Sequence, residues 1–405
     1  MNSIMLFDLD GVLLAPKGYG TALVETFHHF YSQMGLDDFA PGEIAGETFE
    51  SYAVTNDWDM LAIGLAITFD HLLKVTPGLC PPETLDDACK WVWETKLRLP
   101  AGYNFTEEIQ KLGPYYWNKQ IPSESILDAA LHDRENMILP ELKKHALMFD
   151  LLGTTRQIIE CKPIRYFQNL ILGDIEFEKV YGVRADFKTE SYLLRYDRLA
   201  LSPQIHDRLI QALQEDHVRA AAITARPSRP PKEIIEEKAG YSPEAEFAVE
   251  ILGLPNLPII GCGRLQYLGE LLNKSDGFDA FVKPAGTHAL AGIGAAWCKS
   301  ELAGLRFAGA HYQESCGNAK EKFLTYDGLT WDHFPRQLKI QVFEDSPGGL
   351  RSAKQACDWM ILNGVQTQLK MYGVAVNPDK VAALENEGAL VYADVNEAVF
   401  SALND

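Results

Sequence analysis

The chain has 405 residues, 47% of them apolar and 23% charged, which is typical of a globular protein long enough for more than one domain. Its formal net charge of -19 argues against nucleic-acid partners and acidic membrane surfaces, because phosphates repel such a chain unless basic residues cluster locally. The sequence contains no such basic cluster.

The cysteines and the N-terminus indicate the compartment. Seven cysteines are scattered without a Cys-x-x-Cys pair, which favours neither a zinc knuckle nor a disulfide framework. The N-terminus lacks a basic region followed by an apolar run and a cleavage site, and the apolar stretch at residues 60–69 is too short to span a membrane. We therefore expect a soluble, unprocessed, cytoplasmic protein with no membrane or nucleic-acid partner.

Short apolar runs bounded by polar residues predict three buried strands, at residues 3–7, 218–223 and 339–343. After the third run, apolar residues recur at helical intervals over residues 350–360, and Pro347 suits a first helical turn. Strand followed by helix, repeated, predicts a parallel sheet. Further strand and helix patterns within residues 364–405 predict that the sheet is extended at one edge.

The insertion between the first two strands needs a core of its own, and its amphipathic segments predict helices at residues 23–34, 61–73 and 165–180. An Asp-Trp-Asp string at residues 57–59 is predicted to be a solvated turn, because no apolar strand precedes it. The predicted fold class is α/β. It comprises a three-layer Rossmann-like parallel sheet core at residues 1–14 and 201–405, with a large inserted α-helical domain at residues 15–200.

Polar residues that end the predicted strands are candidate site residues, because ligands of parallel sheets bind beyond the carboxyl ends of the strands. Asp8 and Asp10 follow the first strand, Thr224 closes the second, and Glu344 and Asp345 close the third. Taken singly, each signal has a structural alternative: a turn, a strand-end hydroxyl or a helix cap. Their order along the chain favours a site.

These residue types suit phosphoryl chemistry. The Asp8 carboxylate can attack phosphorus to give an aspartyl phosphate, and Gly11 permits the tight turn that follows it. Asp10 can lie on the same side of an extended backbone, protonate the leaving oxygen and later deprotonate water. Thr224 can donate to a phosphoryl oxygen, and Lys283 can neutralise the phosphoryl group while orienting the nucleophile.

The acidic residues also predict a metal ion. Carboxylates that converge on a phosphate would repel it and one another, so a divalent cation is expected among them. The preference of Mg²⁺ for oxygen ligands makes it the predicted cofactor. The candidate metal-ligating residues are Asp8, Asp10, Glu344 and Asp345.

Four segments, in this order, resemble the motifs of the haloacid dehalogenase superfamily of phosphohydrolases: FDLDGVL, AAAITARP, VKP and VFEDSPGGL. The resemblance covers residues 1–14 and about 202–363. It implies that Asp8 is the nucleophile and Asp10 the general acid and base. It also implies that Thr224 holds the phosphoryl group and that Lys283 neutralises it.

The resemblance further implies that Mg²⁺ is bound by the carboxylates of Asp8 and Asp345 and by the backbone carbonyl of Asp10. Glu344 would act through a water molecule or by positioning the lysine. In this family, an insertion between the first two motifs is a mobile helical cap. Its closure over the active site would exclude water and provide substrate contacts.

Two lysines compete for the third motif. Lys283, in FDAFVKPAG, follows an apolar, strand-like run and precedes proline, as the family's motif does. Its long separation from Asp345 predicts an insertion within residues 286–337. Lys320, in GNAKEKFL, lies closer to Asp345 in the sequence. We favour Lys283.

The expected function is Mg²⁺-dependent hydrolysis of a phosphate monoester of a small metabolite through an aspartyl phosphate. Asp10 argues against dehalogenation, which needs no acid at that position. Two alternatives stay open: a phosphomutase that uses the same residues, and a non-catalytic scaffold that binds or regulates a partner. The sequence predicts neither the substrate nor the oligomeric state.

Overall fold

The computed structural model describes residues 2–133, 135, 137–215, 218–234, 240–273, 278–316 and 328–405. The chain divides into two compact units. One contains Met1–Pro16 and Asp197–Asp405, and the other contains Lys17–Tyr196. The sequence analysis divided the chain after residue 14 and before residue 201. The structure instead assigns residues 15–16 and 197–200 to the first unit, because the segments that flank the helical unit pair with each other.

The described strands are β1 (Asn2–Phe7), β2 (Leu14–Ala15), β3 (Arg198–Leu199), β4 (Val218–Ile223), β5 (Ile259–Ile260), β6 (Gln337–Glu344), β7 (Gln366–Val374) and β8 (Leu390–Tyr392). Six of them form the parallel sheet that organises the first unit, in the order β5-β4-β1-β6-β7-β8. The three predicted strands are confirmed as β1, β4 and β6, and the predicted edge extension as β7 and β8. Strand β5 was not predicted, because two residues carry no periodicity.

The strands β2 and β3, both in the first unit, form a separate antiparallel two-stranded ribbon. Leu14 pairs with Leu199 and Ala15 with Arg198. The amide of Ala200 extends this pairing by donating to the carbonyl of Leu13 over 2.9 Å. The ribbon therefore brings together the residues where the chain leaves the sheet unit and where it returns.

Ten helices make up the described part of the second unit. They are α1 (Gly18–Met34), α2 (Ile44–Ser51), α3 (Asp57–Lys74), α4 (Leu85–Thr95), α5 (Phe105–Leu112), α6 (Pro122–His132), α7 (Leu147–Leu152), α8 (Lys162–Leu172), α9 (Asp174–Tyr181) and α10 (Tyr192–Tyr196). Short 3-10 turns lie at Asp37–Phe39, Gly113–Tyr115 and Leu142–Lys144. Helix α3 is apolar on nearly all sides, and it packs against α1, α5, α6, α7 and α8, as expected of a central helix.

Helices cover both faces of the sheet, so the first unit has three layers. These helices are α11 (Pro203–Gln214), α12 (Glu244–Ile251), α13 (Cys262–Leu271), α14 (Gly286–Cys298), α15 (Glu301–Ser315), α16 (Pro347–Leu362), α17 (Pro378–Asn386) and α18 (Val395–Leu403). Alternation along β1 sends Ile4 and Leu6 into a core with α13, α14 and α16, and Met5 and Phe7 into a core with α11, α12 and α18. The α/β, Rossmann-like prediction is confirmed.

Helices α14 and α15 account for much of the insertion that was predicted within residues 286–337. They cross closely where Gly294 faces Gly304, since a Cβ on Gly294 would lie 2.9 Å from the Gly304 Cα. A Cβ on Gly304 would overlap the Ala291 carbonyl and would lie 2.9 Å from the Ala295 Cα. Glycine on both helices thus allows their backbones to touch.

Two local predictions were wrong. The run before Lys283 is not a strand but a 3-10 turn at Asp279–Phe281, in which the Val282 amide donates back to the Asp279 carbonyl. Phe281 is buried in the core, and Phe278 and Val282 pack against that core.

The Asp-Trp-Asp string is helical, not a solvated turn. Asn56 caps α3 by accepting from the amide of Trp58, so the acidic residues occupy the first helical turn, which favours negative charge. Asp59 is fully buried and pairs with Arg156, with 2.7 Å between its Oδ2 and the arginine Nη2.

We expect Gly304→Ala to lower the free energy of unfolding by about 1–3 kcal/mol, because the added methyl must push α15 away from α14. Gly348→Ala is the control: no heavy atom lies within 4 Å of its Cβ position, and alanine there should be neutral or slightly stabilising. Urea unfolding measures both variants. Equal midpoints for Gly304→Ala and wild type would contradict the close helix crossing.

Candidate active site

The site begins where three neighbouring strands end. Parallel pairing aligns Phe7 of β1 with Ala222 of β4 on one side and with Phe343 of β6 on the other. Asp8 therefore emerges between the ends of β4 and β6. Its amide donates to the carbonyl of Phe343 over 2.9 Å, which continues the sheet by one hydrogen bond.

Lys283 lies between two carboxylates at these strand ends. Its Nζ is 3.1 Å from Asp8 Oδ2 and 2.5 Å from Glu344 Oε1. The side chains of Lys283 and Asp8 are 9% and 11% exposed, and that of Glu344 is fully buried. This burial makes the ammonium the main neutralising charge for both acids, because water screens little of the interaction.

Burial and charge shift the ionisation of these groups in opposite directions. Burial raises the pKa of Asp8 well above its usual range, and the carboxylate of Glu344 raises this pKa further, while Lys283 lowers it. Burial alone would lower the pKa of Lys283, but the carboxylates of Asp8 and Glu344 outweigh it and raise that pKa. Lys283 therefore stays charged at neutral pH.

His288, on the first turn of α14, fixes the backbone of Lys283. Its Nδ1 accepts from the Lys283 amide at 3.2 Å, so its Nε2 carries the proton and donates to the Ile260 carbonyl at 2.7 Å. Burial and the charge of Lys283 lower the pKa of His288 to about 3, so the ring is neutral at neutral pH. The lysine is thereby tied to the end of β5.

Glu344 is held on both carboxylate oxygens. Lys283 contacts its Oε1, and the Ser346 hydroxyl donates to its Oε2 at 3.0 Å. A Cβ on Gly349, in the first turn of α16, would overlap the Glu344 carboxylate. Glycine at this position gives the buried acid its space.

Asp345, the next residue, completes an acidic cluster with Asp8 and Glu344. One carboxylate oxygen from each of the three lies within 4.8 Å of the others. Lys380, near the start of α17, is 3.2 Å from Asp345 Oδ2, but its side chain is 61% exposed and its charge is well screened. Gly11 has φ +72°, and a Cβ there would lie 2.7 Å from Asp345 Oδ2.

Thr224 follows β4 directly and is buried. Its amide donates to the carbonyl of Ile260 on β5 at 3.0 Å, and its hydroxyl oxygen accepts from the amide of Arg226 at 3.1 Å. These two hydrogen bonds fix the backbone and the hydroxyl of Thr224 at the end of β4. Asp8 follows the neighbouring strand, β1, at the same edge of the sheet.

Asp10 has a different environment from Asp8. Its carboxylate pairs with the guanidinium of Arg226, with 2.8 Å from Nε to Oδ2 and 2.5 Å from Nη2 to Oδ1. In the described part of the chain, its side chain does not belong to the acidic cluster around Asp8. The two aspartates of the first motif therefore interact with different cations.

The structure brings Asp8, Lys283, Glu344 and Asp345 together and places Thr224 at the end of the adjacent strand. Lys320, the rival lysine, lies outside the described residues. The sequence analysis missed three residues of the site: Arg226, His288 and Lys380. Arg226 lies within the AAAITARP motif, where a basic residue two positions after Thr224 could have indicated its role. His288 had no comparable signal in the local sequence.

The donor set of the acidic cluster fits a magnesium ion. Its ligand atoms are carboxylate oxygens, the type that Mg²⁺ prefers. Asp8, Glu344 and Asp345 face one buried ammonium, that of Lys283, so the buried charge of the cluster is negative. Burial and then repulsion by the neighbouring carboxylates raise the pKa of Asp8, and a bound divalent cation would offset this repulsion.

Comparison with known proteins gives a similarity of fold. No protein-family model and no curated protein matches the chain. An X-ray structure described as Northeast Structural Genomics Consortium target ZR25 is similar over 98% of this chain and 97% of its own, with a TM-score of 0.55 and 14% identity. At this identity the likeness concerns the fold alone. Among the described residues, no helix has the length and apolar character needed to cross a membrane.

We expect Lys283→Met to destabilise the protein by about 3–5 kcal/mol, because it leaves Asp8 and Glu344 buried without their cation. Adding Glu344→Gln to this variant should recover part of the loss, since it removes one of the two stranded charges. The measurement is urea unfolding at neutral pH with a chelator present.

Lys354→Met is the matched control for this substitution. Lys354 also forms a 2.7 Å ion pair, with Glu387, but its side chain is 38% exposed, so the loss should be about 0–1 kcal/mol. Similar losses for Lys283→Met and Lys354→Met would contradict the role of Lys283 as the neutralising charge of the buried acids.

Proposed function

We propose that this protein hydrolyses a phosphate monoester of a small metabolite, with Asp8 as the nucleophile and Mg²⁺ as the cofactor. The contact of buried Lys283 with both Asp8 and Glu344 carries the proposal. Through this contact, the Asp8 carboxylate at the end of β1 has a fixed cationic partner. Asp345 adds a further carboxylate beside Asp8, as a metal site requires. The four motifs support membership of the haloacid dehalogenase superfamily as part of the same proposal.

The reaction proceeds in two displacements on phosphorus. An Asp8 oxygen attacks, the new bond from this oxygen to phosphorus forms, and the bond to the leaving oxygen breaks while Asp10 gives that oxygen a proton. Water then attacks the phosphorus of the aspartyl phosphate and gives a proton to Asp10, while the bond from the Asp8 oxygen to phosphorus breaks. Inorganic phosphate leaves, and both aspartates return to their starting forms.

Lys283 and Thr224 act on the phosphoryl group itself. The Lys283 ammonium stabilises the charge on the equatorial oxygens and keeps Asp8 in place, and the Thr224 hydroxyl donates to one of these oxygens. Of the two roles that the resemblance implies for Glu344, we assign it the positioning of Lys283 rather than an action through a water molecule. These groups stand on strand ends or are tied to one, so they need little rearrangement in the transition state.

Mg²⁺ would be held by the carboxylates of Asp8 and Asp345 and by the backbone carbonyl of Asp10. When bound, it would neutralise phosphoryl charge and reduce the repulsion between the substrate and the acidic cluster. We place the reaction in the cytoplasm, a proposal that the seven free cysteine thiols support.

We expect the wild-type protein to hydrolyse 4-nitrophenyl phosphate in the presence of Mg²⁺, and a chelator to abolish this turnover. Asp8→Asn should show no turnover above background, because the amide is not a nucleophile towards phosphorus. Asp358→Asn, an exposed position on α16, is the control and should retain the wild-type rate. Equal rates for wild type and Asp8→Asn, or none in either, would favour a non-catalytic binding protein.

The two candidate lysines can be separated by their effect on rate. Lys283→Ala should lower kcat by several orders of magnitude, whereas Lys320→Ala should stay close to wild type. Steady-state kinetics with 4-nitrophenyl phosphate measures both, after circular dichroism has shown that each variant is folded. The reverse pattern would assign the neutralising role to Lys320.

A further inference from the structure

Arg226 joins two aspartates that lie far apart in the sequence. Its Nε and Nη2 contact both oxygens of Asp10, and its Nη2 also donates to Asp197 Oδ2 at 2.7 Å. Its remaining nitrogen, Nη1, donates to the Glu244 carbonyl at 3.4 Å. All three guanidinium nitrogens therefore have acceptors, and two of the acceptors are carboxylates.

Two of the three charged side chains in this group are buried to a degree that is unusual for charged residues. The side chain of Arg226 is 2% exposed and that of Asp197 is fully buried, whereas that of Asp10 is 34% exposed. Asp197 thus faces the inner side of the guanidinium, and Asp10 is the member of the group that solvent can reach. This is the arrangement expected if Asp10 exchanges protons and the other two groups support it.

The backbone of Arg226 is also fixed by hydrogen bonds. Its amide donates to the Thr224 hydroxyl oxygen at 3.1 Å, and its carbonyl accepts from the amide of Cys262 at 3.0 Å. Asp10 and Asp197 are brought together by the ribbon, since β2 and β3 begin shortly after these two residues. Three independent parts of the sheet unit therefore fix the geometry of the group.

We propose that Arg226, supported by Asp197, is a positioning residue that orients Asp10 for proton transfer to the leaving oxygen. The inference rests on the proposed function. The planar guanidinium engages both Asp10 oxygens, which fixes the plane of the carboxyl group in a way that the single ammonium of a lysine does not.

The dependence of rate on the leaving group tests this role. Phenol is a poorer leaving group than 4-nitrophenol, so hydrolysis of phenyl phosphate depends more on protonation of the leaving oxygen. The value of kcat/KM reports on steps up to the departure of this group, so the later attack of water does not obscure the comparison. A purely structural defect lowers kcat/KM for both substrates alike.

For Arg226→Met we expect kcat/KM for phenyl phosphate to fall by about 100-fold or more, the scale of general acid catalysis, and that for 4-nitrophenyl phosphate by less than about 10-fold. Arg226→Lys and Asp197→Asn should shift the ratio of the two values in the same direction by smaller factors. These two variants also carry the test if Arg226→Met does not fold.

Arg264→Met is the matched control. Arg264 is fully buried and pairs with two carboxylates, those of Glu246 and Glu301, but it contacts none of the proposed catalytic groups. Its loss should lower stability while leaving the ratio of the two kcat/KM values at the wild-type level. This control separates the loss of a buried arginine from the loss of an oriented acid.

The outcomes distinguish this inference from the proposed function. If wild type hydrolyses both substrates and the Arg226 and Asp197 variants leave the ratio unchanged, the positioning role is wrong and the proposed function stands. If wild type hydrolyses neither substrate, the proposed function fails and the inference fails with it. A ratio that changes equally in Arg264→Met would also overturn the inference.

Discussion

The charge balance around Lys283 is the constraint on which the site depends. The register between β1 and β6 aligns Phe7 with Phe343, so Asp8 and Glu344 must lie side by side where the strands end. Two carboxylates buried at this separation repel each other unless a cation lies between them. The chain supplies that cation from outside the sheet, at the end of a 3-10 turn, and secures it through His288.

This constraint explains which parts of the site could be predicted from the sequence. Asp8, Thr224, Glu344 and Asp345 follow or end strands whose apolar runs are visible locally, and parallel strands present their carboxyl ends at one edge. Lys283 was selected for a strand-like run that is in fact a 3-10 turn. Its contact with Asp8 and Glu344 depends on tertiary folding, which no local pattern specifies.

The residues that the sequence analysis missed share a different property. Arg226 and His288 act through partners that are distant in sequence, namely Asp10, Asp197 and Ile260. No periodicity or spacing marks such pairs, because the ribbon and the order of the strands bring them together. Strand β5 was missed for a simpler reason: its two residues are fewer than one period of any regular pattern.

The two aspartates of the first motif differ through their surroundings. Asp8 is buried among acids and contacts one ammonium, while Asp10 is part-exposed and held by a planar guanidinium. Placing like groups in unlike environments is how proteins give two carboxylates separate roles. Under the proposed function, the buried residue is the nucleophile and the accessible one transfers protons.

Hydrogen bonds that continue the sheet beyond its last paired residues fix this arrangement. The amide of Asp8 bonds to β6, and the amide of Thr224 bonds to β5. The ring of His288 bonds the Ile260 carbonyl and thereby connects Lys283 to the same strand. Since each group is anchored to a strand in a close-packed sheet, displacing one requires breaking sheet contacts. The rigidity of the site is therefore a property of the fold, which is why elements remote from Asp8 in sequence determine its position and its charged neighbours.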